Sequence, residues 1–205
     1  MSILEPPSWS GAAHARNLAS AALRMTYQLR PHGAHHVGTS GPLLMLCRSE
    51  GMLAGAILHA TVPRPVHVVA NEAMGKALRQ GMMTKAGVIP VTAPTAIEAQ
   101  HRARAAIEDE RAVVITGSAC PSGYLVATCR VPVLPVVLLG AEGRVPTDPP
   151  RPRSRIDVYF SAPVTIEVPG DPLRASTRAA IEEQVRQVVS DAEAEAMLRA
   201  GRTDQ

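Results

Sequence analysis

Short apolar runs alternate with helix-period segments along most of the chain. The runs Val66–Ala70 (VHVVA), Ala112–Thr116 (AVVIT) and Val131–Leu139 (VPVLPVVLL) show no apolar–polar alternation. Strands have that character when both faces are covered, as in a parallel sheet held between helices. Pro42–Cys47, Val88–Val91 and Arg155–Phe160 complete the predicted strands. Apolar residues at helical spacing predict helices over Ala12–Gln28, Glu50–Ala60, Asn71–Lys85, Thr95–Asp109 and Leu173–Arg199. The alternation predicts an α/β fold, a layered sandwich whose central, largely parallel sheet is flanked by helices.

Finer features follow from the same pattern. In the last helix Ile181, Val185, Val188 and Ala192 form an inward stripe, with Glu182, Arg186 and Glu193 expected outward. Residues 140–154, GAEGRVPTDPPRPRS, predict an extended, exposed proline-rich loop, and residues 200–205 a frayed tail. Residues 1–205 are expected to form a single domain, with 1–30 as its N-terminal helical segment.

Composition narrows the picture. Aromatic residues make up only 2% of the chain, so the core must be built from Val, Leu, Ile, Ala and Met. The formal charge of +3 comes from interleaved Arg and Glu without a basic block, which argues against nucleic acid as a partner. Cys47, Cys120 and Cys129 are odd in number and lack metal-ligand spacing. They fit a reducing compartment and small core residues, with no metal and no cofactor implied. The apolar stretch over residues 51–62 is broken by His59 and is too short to span a bilayer. The N-terminal MSILEPPSWSG has no signal-peptide pattern. A cytoplasmic chain is expected, with any membrane contact peripheral and on the inner face.

Candidate chemistry centres on GPLLMLCRSEGMLAGAIL, Gly41 to Leu58. A buried strand runs into a polar turn and then a small-residue helix, the corner where α/β enzymes usually place their reactive groups. The turn supplies Arg48, Ser49 and Glu50, and no acid–base pair follows.

Several strings, in order, resemble the glycerolipid acyltransferase family, which includes the lysophosphatidic acid and glycerol-phosphate acyltransferases. GAHHVGTSGPLLMLC is similar to the lead-in to that family's first motif, and NEAMGKALRQGMMTKAGVIPV to the approach to its second. AVVIT stands where the strand before the third motif ends. GYLVATCRVPVLPVVLLG resembles the fourth, with its Val-Pro-Val-x-Pro core at Val131 to Pro135. RIDVYFSAPVTI and the long helix after it are like the family's C-terminal end, so the resemblance spans roughly Tyr27 to Leu198.

The resemblance implies a histidine and an aspartate separated by four residues: a general base for the acceptor hydroxyl and the carboxylate that orients it. Those positions fall on Ser49 and Ala54. A serine hydroxyl is no base near neutral pH, and alanine cannot orient an imidazole. The resemblance also implies an arginine that grips the acceptor phosphate after the second motif, where Thr92 and Ala93 stand. It implies a Pro-Glu-Gly after the third strand, where Gly117, Ser118 and Ala119 stand. The departures fall on the chemical residues, so the sequence resembles a degenerate acyltransferase that lacks the His-x4-Asp motif.

Each polar feature has a plainer alternative. Ser49 as a nucleophile would need His59 or His35 as its base. It reads better as the N-cap of the following helix, with Glu50 in the first turn. His35 and His36, adjacent in an extended segment, would point apart and could not ligate one metal ion. TGSACPSG lacks a phosphate-loop spacing. Cys120 reads as an inert core thiol rather than a reactive one. The helix over Ala12–Gln28 has Leu18, Ala22, Met25 and Leu29 along one side, with Arg16, Arg24 and Arg30 nearby. That pattern suits a membrane surface through residues 12–30 as well as it suits docking on the core. GMLAGAILHATVP reads as a core helix, with a residual acyl groove as the alternative.

Three functions are open on this reading. The first is a catalytically inactive, acyltransferase-like protein that binds an acyl chain, a phospholipid or an active acyltransferase subunit. The second is an active acyl-CoA-dependent enzyme with atypical residues such as His59, Glu50 or Ser118, or with an unusual acceptor. The third is a purely structural partner protein.

Overall fold

The computed structural model describes residues 8–71, 86–91, 95–119, 121–145 and 148–201. Helix α1 (Trp9–Thr26) is capped by Ser8, whose hydroxyl accepts from the Gly11 N–H at 3.1 Å. It leads into strand β1 (Gln28–His32), a short 3-10 turn (Ala34–Val37) and strand β2 (Leu43–Cys47). Then follow α2 (Ala54–Thr61), β3 (Val66–Asn71), β4 (Val88–Val91), α3 (Ala96–Glu108) and β5 (Ala112–Thr116). The chain ends with α4 (Gly123–Cys129), β6 (Val133–Leu139), β7 (Arg155–Phe160) and the long α5 (Ala175–Arg199).

The seven strands form one sheet in the order β1-β7-β6-β2-β5-β3-β4. Every neighbouring pair is parallel except β6–β7. The expected α/β sandwich with a largely parallel sheet is therefore the observed fold. All residues of β2, β5 and β6 are buried, which explains their unbroken apolar runs.

Side-chain alternation along the strands feeds two large cores and a smaller cluster of Val137, Leu139, Tyr159, Ala192 and Ala196 beneath the end of α5. Met45, Ile57, Leu58, Val68, Val114 and Leu134 pack with Leu23 and Tyr27 beneath α1 and α2. Leu44, Leu46, Val113, Ile115, Ile181 and Val185 pack on the opposite face, beneath α3, α4 and α5. Burying one such Leu or Ile side chain stabilises the fold by about 2 kcal/mol. Pro135 is accommodated inside β6 because the ladder to β7 begins one residue later, at Val136 opposite Phe160.

Several expectations need correction. The first helix ends at Thr26, and Gln28 begins an edge strand instead of closing the helix. Helix α4 was also not expected. The helix expected from Glu50 begins only at Ala54, after an irregular segment. Loop 140–154 is not exposed throughout: Ala141 and Pro150 are buried, and the Tyr27 hydroxyl donates to the Pro150 carbonyl at 3.2 Å. The helix expected over Asn71–Lys85 lies outside the described residues from 72 onward.

Candidate functional site

The parallel strands bring the turn after β2 beside the turn after β5, at the carboxyl end of the sheet. The register pairs Cys47 with Thr116, and the Gly117 N–H donates to the Cys47 carbonyl at 2.7 Å. Ser118 Oγ then donates to Glu50 Oε1 at 2.8 Å. Gly117 has φ +56, and a Cβ there would lie 2.9 Å from Glu50 Cγ. Three residues singled out from sequence, Glu50, Gly117 and Ser118, are thus in direct contact. The result is a carboxylate held where the resemblance implied a phosphate-binding loop.

Ser49 does not cap α2. The residue before that helix is Leu53, with no side-chain cap, and Ser49 Oγ accepts instead from the Gly51 N–H at 3.3 Å. The physical reason is the irregular segment at residues 50–53, which delays the helix and leaves Ser49 to close a local turn. Among the described residues no imidazole bonds to Ser49. Ala54 is fully buried in the core beneath α1 and α2. Thr92, Ala93 and Cys120 lie outside the described residues.

A cavity of about 440 Å³ opens beside this corner, on the face covered by α5. Its apolar floor includes Leu46, Ile115, Val185 and Val189, and Arg48 and Ser118 stand at its rim. Arg48 is held by Glu193 at 3.0 Å. Cys47 also lines it, but burial pushes its thiol up to about 12, so it is a neutral packing group. Glu182, expected outward, instead turns towards α4. It accepts hydrogen bonds from Ser122 Oγ and the Gly123 N–H, and so anchors that helix's first turn.

His59 does not reach the corner. It is buried in α2, and neither ring nitrogen has a hydrogen-bond partner among the described residues. Burial, with the nearby His67 second, lowers it to about 4. His67 is likewise lowered to about 4, chiefly by burial, although its Nδ1–H donates to the Gly87 carbonyl at 3.0 Å. A neutral, buried imidazole of this kind is a poor base.

His35 and His36 lie in the 3-10 turn rather than in an extended segment, so their rings do not point apart. Their centroids are 4.1 Å from each other. Among the described residues no group of three or more His, Cys, Asp or Glu is placed to hold a metal ion.

One imidazole–carboxylate pair does exist. His32 Nε2–H donates to Asp157 Oδ1 at 2.9 Å, and Arg155 donates to both oxygens of the same carboxylate. Burial alone would raise the Asp157 carboxyl, but the hydrogen bonds from Arg155 and His32 hold it below the usual range. The pair belongs to the β1–β7 edge, with the His32 ring stacked on Tyr159 at 4.5 Å. Three strand spacings, about 14 Å, separate β1 from β2. It satisfies a buried carboxylate and does not reconstitute the missing dyad at Ser49.

With the geometry in place, comparison with solved structures finds a likeness in fold. The crystal structure of the 1-acyl-sn-glycerophosphate (LPA) acyltransferase PlsC from Thermotoga maritima superposes with a TM-score of 0.59. The match covers 88% of this chain and 79% of that one, at 13% sequence identity. The fold is acyltransferase-like. No family model matches the chain, and no curated protein matches it by sequence. Among the described residues, no helix is long and apolar enough to cross a membrane.

Proposed function

We propose that this protein is a catalytically inactive acyltransferase-like protein that acts by binding a lipid or acyl group, or a partner acyltransferase. One observation carries the reading: where an acyltransferase of this resemblance needs a general base, Ser49 closes a local turn and the adjacent carboxylate Glu50 is held by Ser118. Removal of a general base costs about 100- to 10,000-fold in rate. A carboxylate beside the acceptor position further repels a phosphate-bearing acceptor. The apolar-floored cavity of about 440 Å³ is of the size that small-molecule sites have, and it supports retention of an apolar ligand without chemistry. Residues 12–30 supply a peripheral contact with a lipid surface in this reading.

The alternative is transfer through Ser118 with Glu50 as its base, favoured by their 2.8 Å hydrogen bond. A carboxylate is a weak base for an alcohol, and among the described residues no second group orients this one. Native mass spectrometry of the purified chain tests the binding reading. A retained lipid, acyl group or second protein supports it. A bare chain that acylates lysophospholipid from an acyl thioester contradicts it.

A further inference from the structure

His67 has no exposed surface, although it is only the second residue of β3, at the amino end of the sheet. Strand alternation turns it away from α1 and α2. Its neighbours Val66 and Val68 pack beneath those helices, whereas its register partner Val113 packs on the opposite face. Three other segments close off its ring. The Gly87 carbonyl, just before β4, accepts from Nδ1 at 3.0 Å. Arg111, just before β5, brings Nη1 to 3.5 Å from Nε2. Trp9, the first residue of α1, sets its ring 5.8 Å from the imidazole, and the Arg111 guanidinium lies 5.5 Å from the centre of that indole.

These contacts fix the state of the ring. A carbonyl only accepts, so Nδ1 carries the proton and Nε2 turns its lone pair to Arg111. A guanidinium has donors alone and keeps its charge at any ordinary pH. A second proton on His67 would therefore set one N–H against another and one cation against another. Burial, and after it the Arg111 charge, oppose that proton, while the Gly87 carbonyl and Asp109 favour it. Asp109 is itself paired with Arg111. The other titratable group acting here among the described residues is His59 of α2. From α1 and the start of β4 come only the uncharged Trp9 ring and the Gly87 carbonyl.

The parts of this cluster differ in how easily they move. His67 is held in a strand paired on both sides, to β4 and to β5. The first turn of α1 has no such hold, since Ser8, Trp9 and Ser10 are all exposed. Beyond them the helix is anchored again. Ala12 lies so close to Gly87 that a Cβ on that glycine would come within 2.8 Å of it, and Arg16 Nε donates to the Val62 carbonyl at 3.1 Å. An opening that starts at Trp9 is thus confined to the residues before Arg16.

We propose that Trp9, Arg111 and His67 form an acid-sensitive latch, which holds the first turn of α1 while His67 is neutral and releases it when Nε2 takes a proton from solvent. On protonation Arg111 turns out from the ring together with Asp109, Trp9 loses the cation at its face, and the turn it anchors comes free. The device stands apart from the binding reading above and lies at the other end of the sheet from Ser49. Latched, the imidazole is lowered to about 4; released into water it returns to about 6.5. The open form therefore binds more protons between those values, and acid favours opening.

Hydrogen exchange of the full chain at pH 8 and pH 5, corrected for the pH dependence of free amides, tests the latch. Protection of the α1 residues before Arg16 is expected to be about thirtyfold lower at pH 5, the ratio that ring values of about 4 and about 6.5 imply. His67→Gln cannot take the proton and is expected to lose this dependence. Trp9→Ala, at an exposed position, removes the anchor, so the turn is expected to be weakly protected and insensitive to pH. Equal protection of the turn at the two pH values in the unsubstituted chain overturns the proposal. So does a dependence retained in full by Trp9→Ala or by a folded His67→Gln. A first turn protected as strongly as β2 at pH 5 would exchange only through global unfolding, and overturns it too.

Discussion

Ser118 Oγ and Glu50 Oε1 lie 2.8 Å apart, joining the turn after β5 to the turn after β2. The bond is possible only because Gly117, with φ +56, leaves room for the Glu50 side chain. Gly117→Ala is therefore expected to destabilise the fold by about 1–2 kcal/mol through backbone strain plus crowding. In a Glu50→Ala background the crowding part disappears and the strain remains, so the two substitutions are non-additive. Urea midpoints of the four proteins measure this, and full additivity would contradict the contact.

Glu182 and Gly123 make a second cross-chain tie. The Glu182 carboxylate accepts from the first backbone N–H of α4 and from Ser122 Oγ. Glu182→Ala strands both donors in a half-buried setting and is expected to cost about 1–2 kcal/mol. Chemical denaturation reads the loss, with hydrogen exchange expected to rise first in α4.

Acid sensitivity is expected from His59 and His67. In the unfolded chain both protonate near pH 6.5. In the fold both stay neutral down to about 4, chiefly because they are buried. The unfolded state binds more protons across that window, so stability is full above it and falls as pH drops from about 6.5 to about 4. The loss by pH 4 is on the order of 3 kcal/mol for each imidazole. His59→Leu removes a buried polar group that has no hydrogen-bond partner among the described residues, and is expected to flatten the acid limb. Urea midpoints at pH 5 and pH 8 check this, and an unchanged difference would contradict it.

Much of the fold was legible because its central strands are buried on both faces. LLMLC, AVVIT and VLPVVLL are short and bounded by turn residues, and the latter two are rich in β-branched side chains, which favours strands over buried helices. The missed β1 is an edge strand whose QLRPH points mostly to solvent, so it carries no apolar signature. Helix α4 is only seven residues long, too short for helical periodicity to show. Glu182 has the right spacing for an outward residue, and its partners stand about 60 residues earlier in the chain, beyond any local pattern. The contact of Glu50 with Gly117 and Ser118 depends on strand order, which local periodicity does not encode.

Rebuilding the missing dyad is expected to fail. Ala54 is fully buried beside Ile57 and Leu58, so Ala54→Asp places a carboxylate in an apolar core. The double variant Ser49→His/Ala54→Asp is expected to lose several kcal/mol of stability and to gain no acyl transfer. Thermal unfolding and a transfer assay check the two parts separately.

The most direct measurement of the central claim is turnover by the purified, unsubstituted chain given an acyl thioester and a lysophospholipid. With Ser49 tied to Gly51 and Glu50 held by Ser118, product is expected to form no faster than without protein. Turnover at about 1 per second or more, the ordinary enzyme range, would contradict the account.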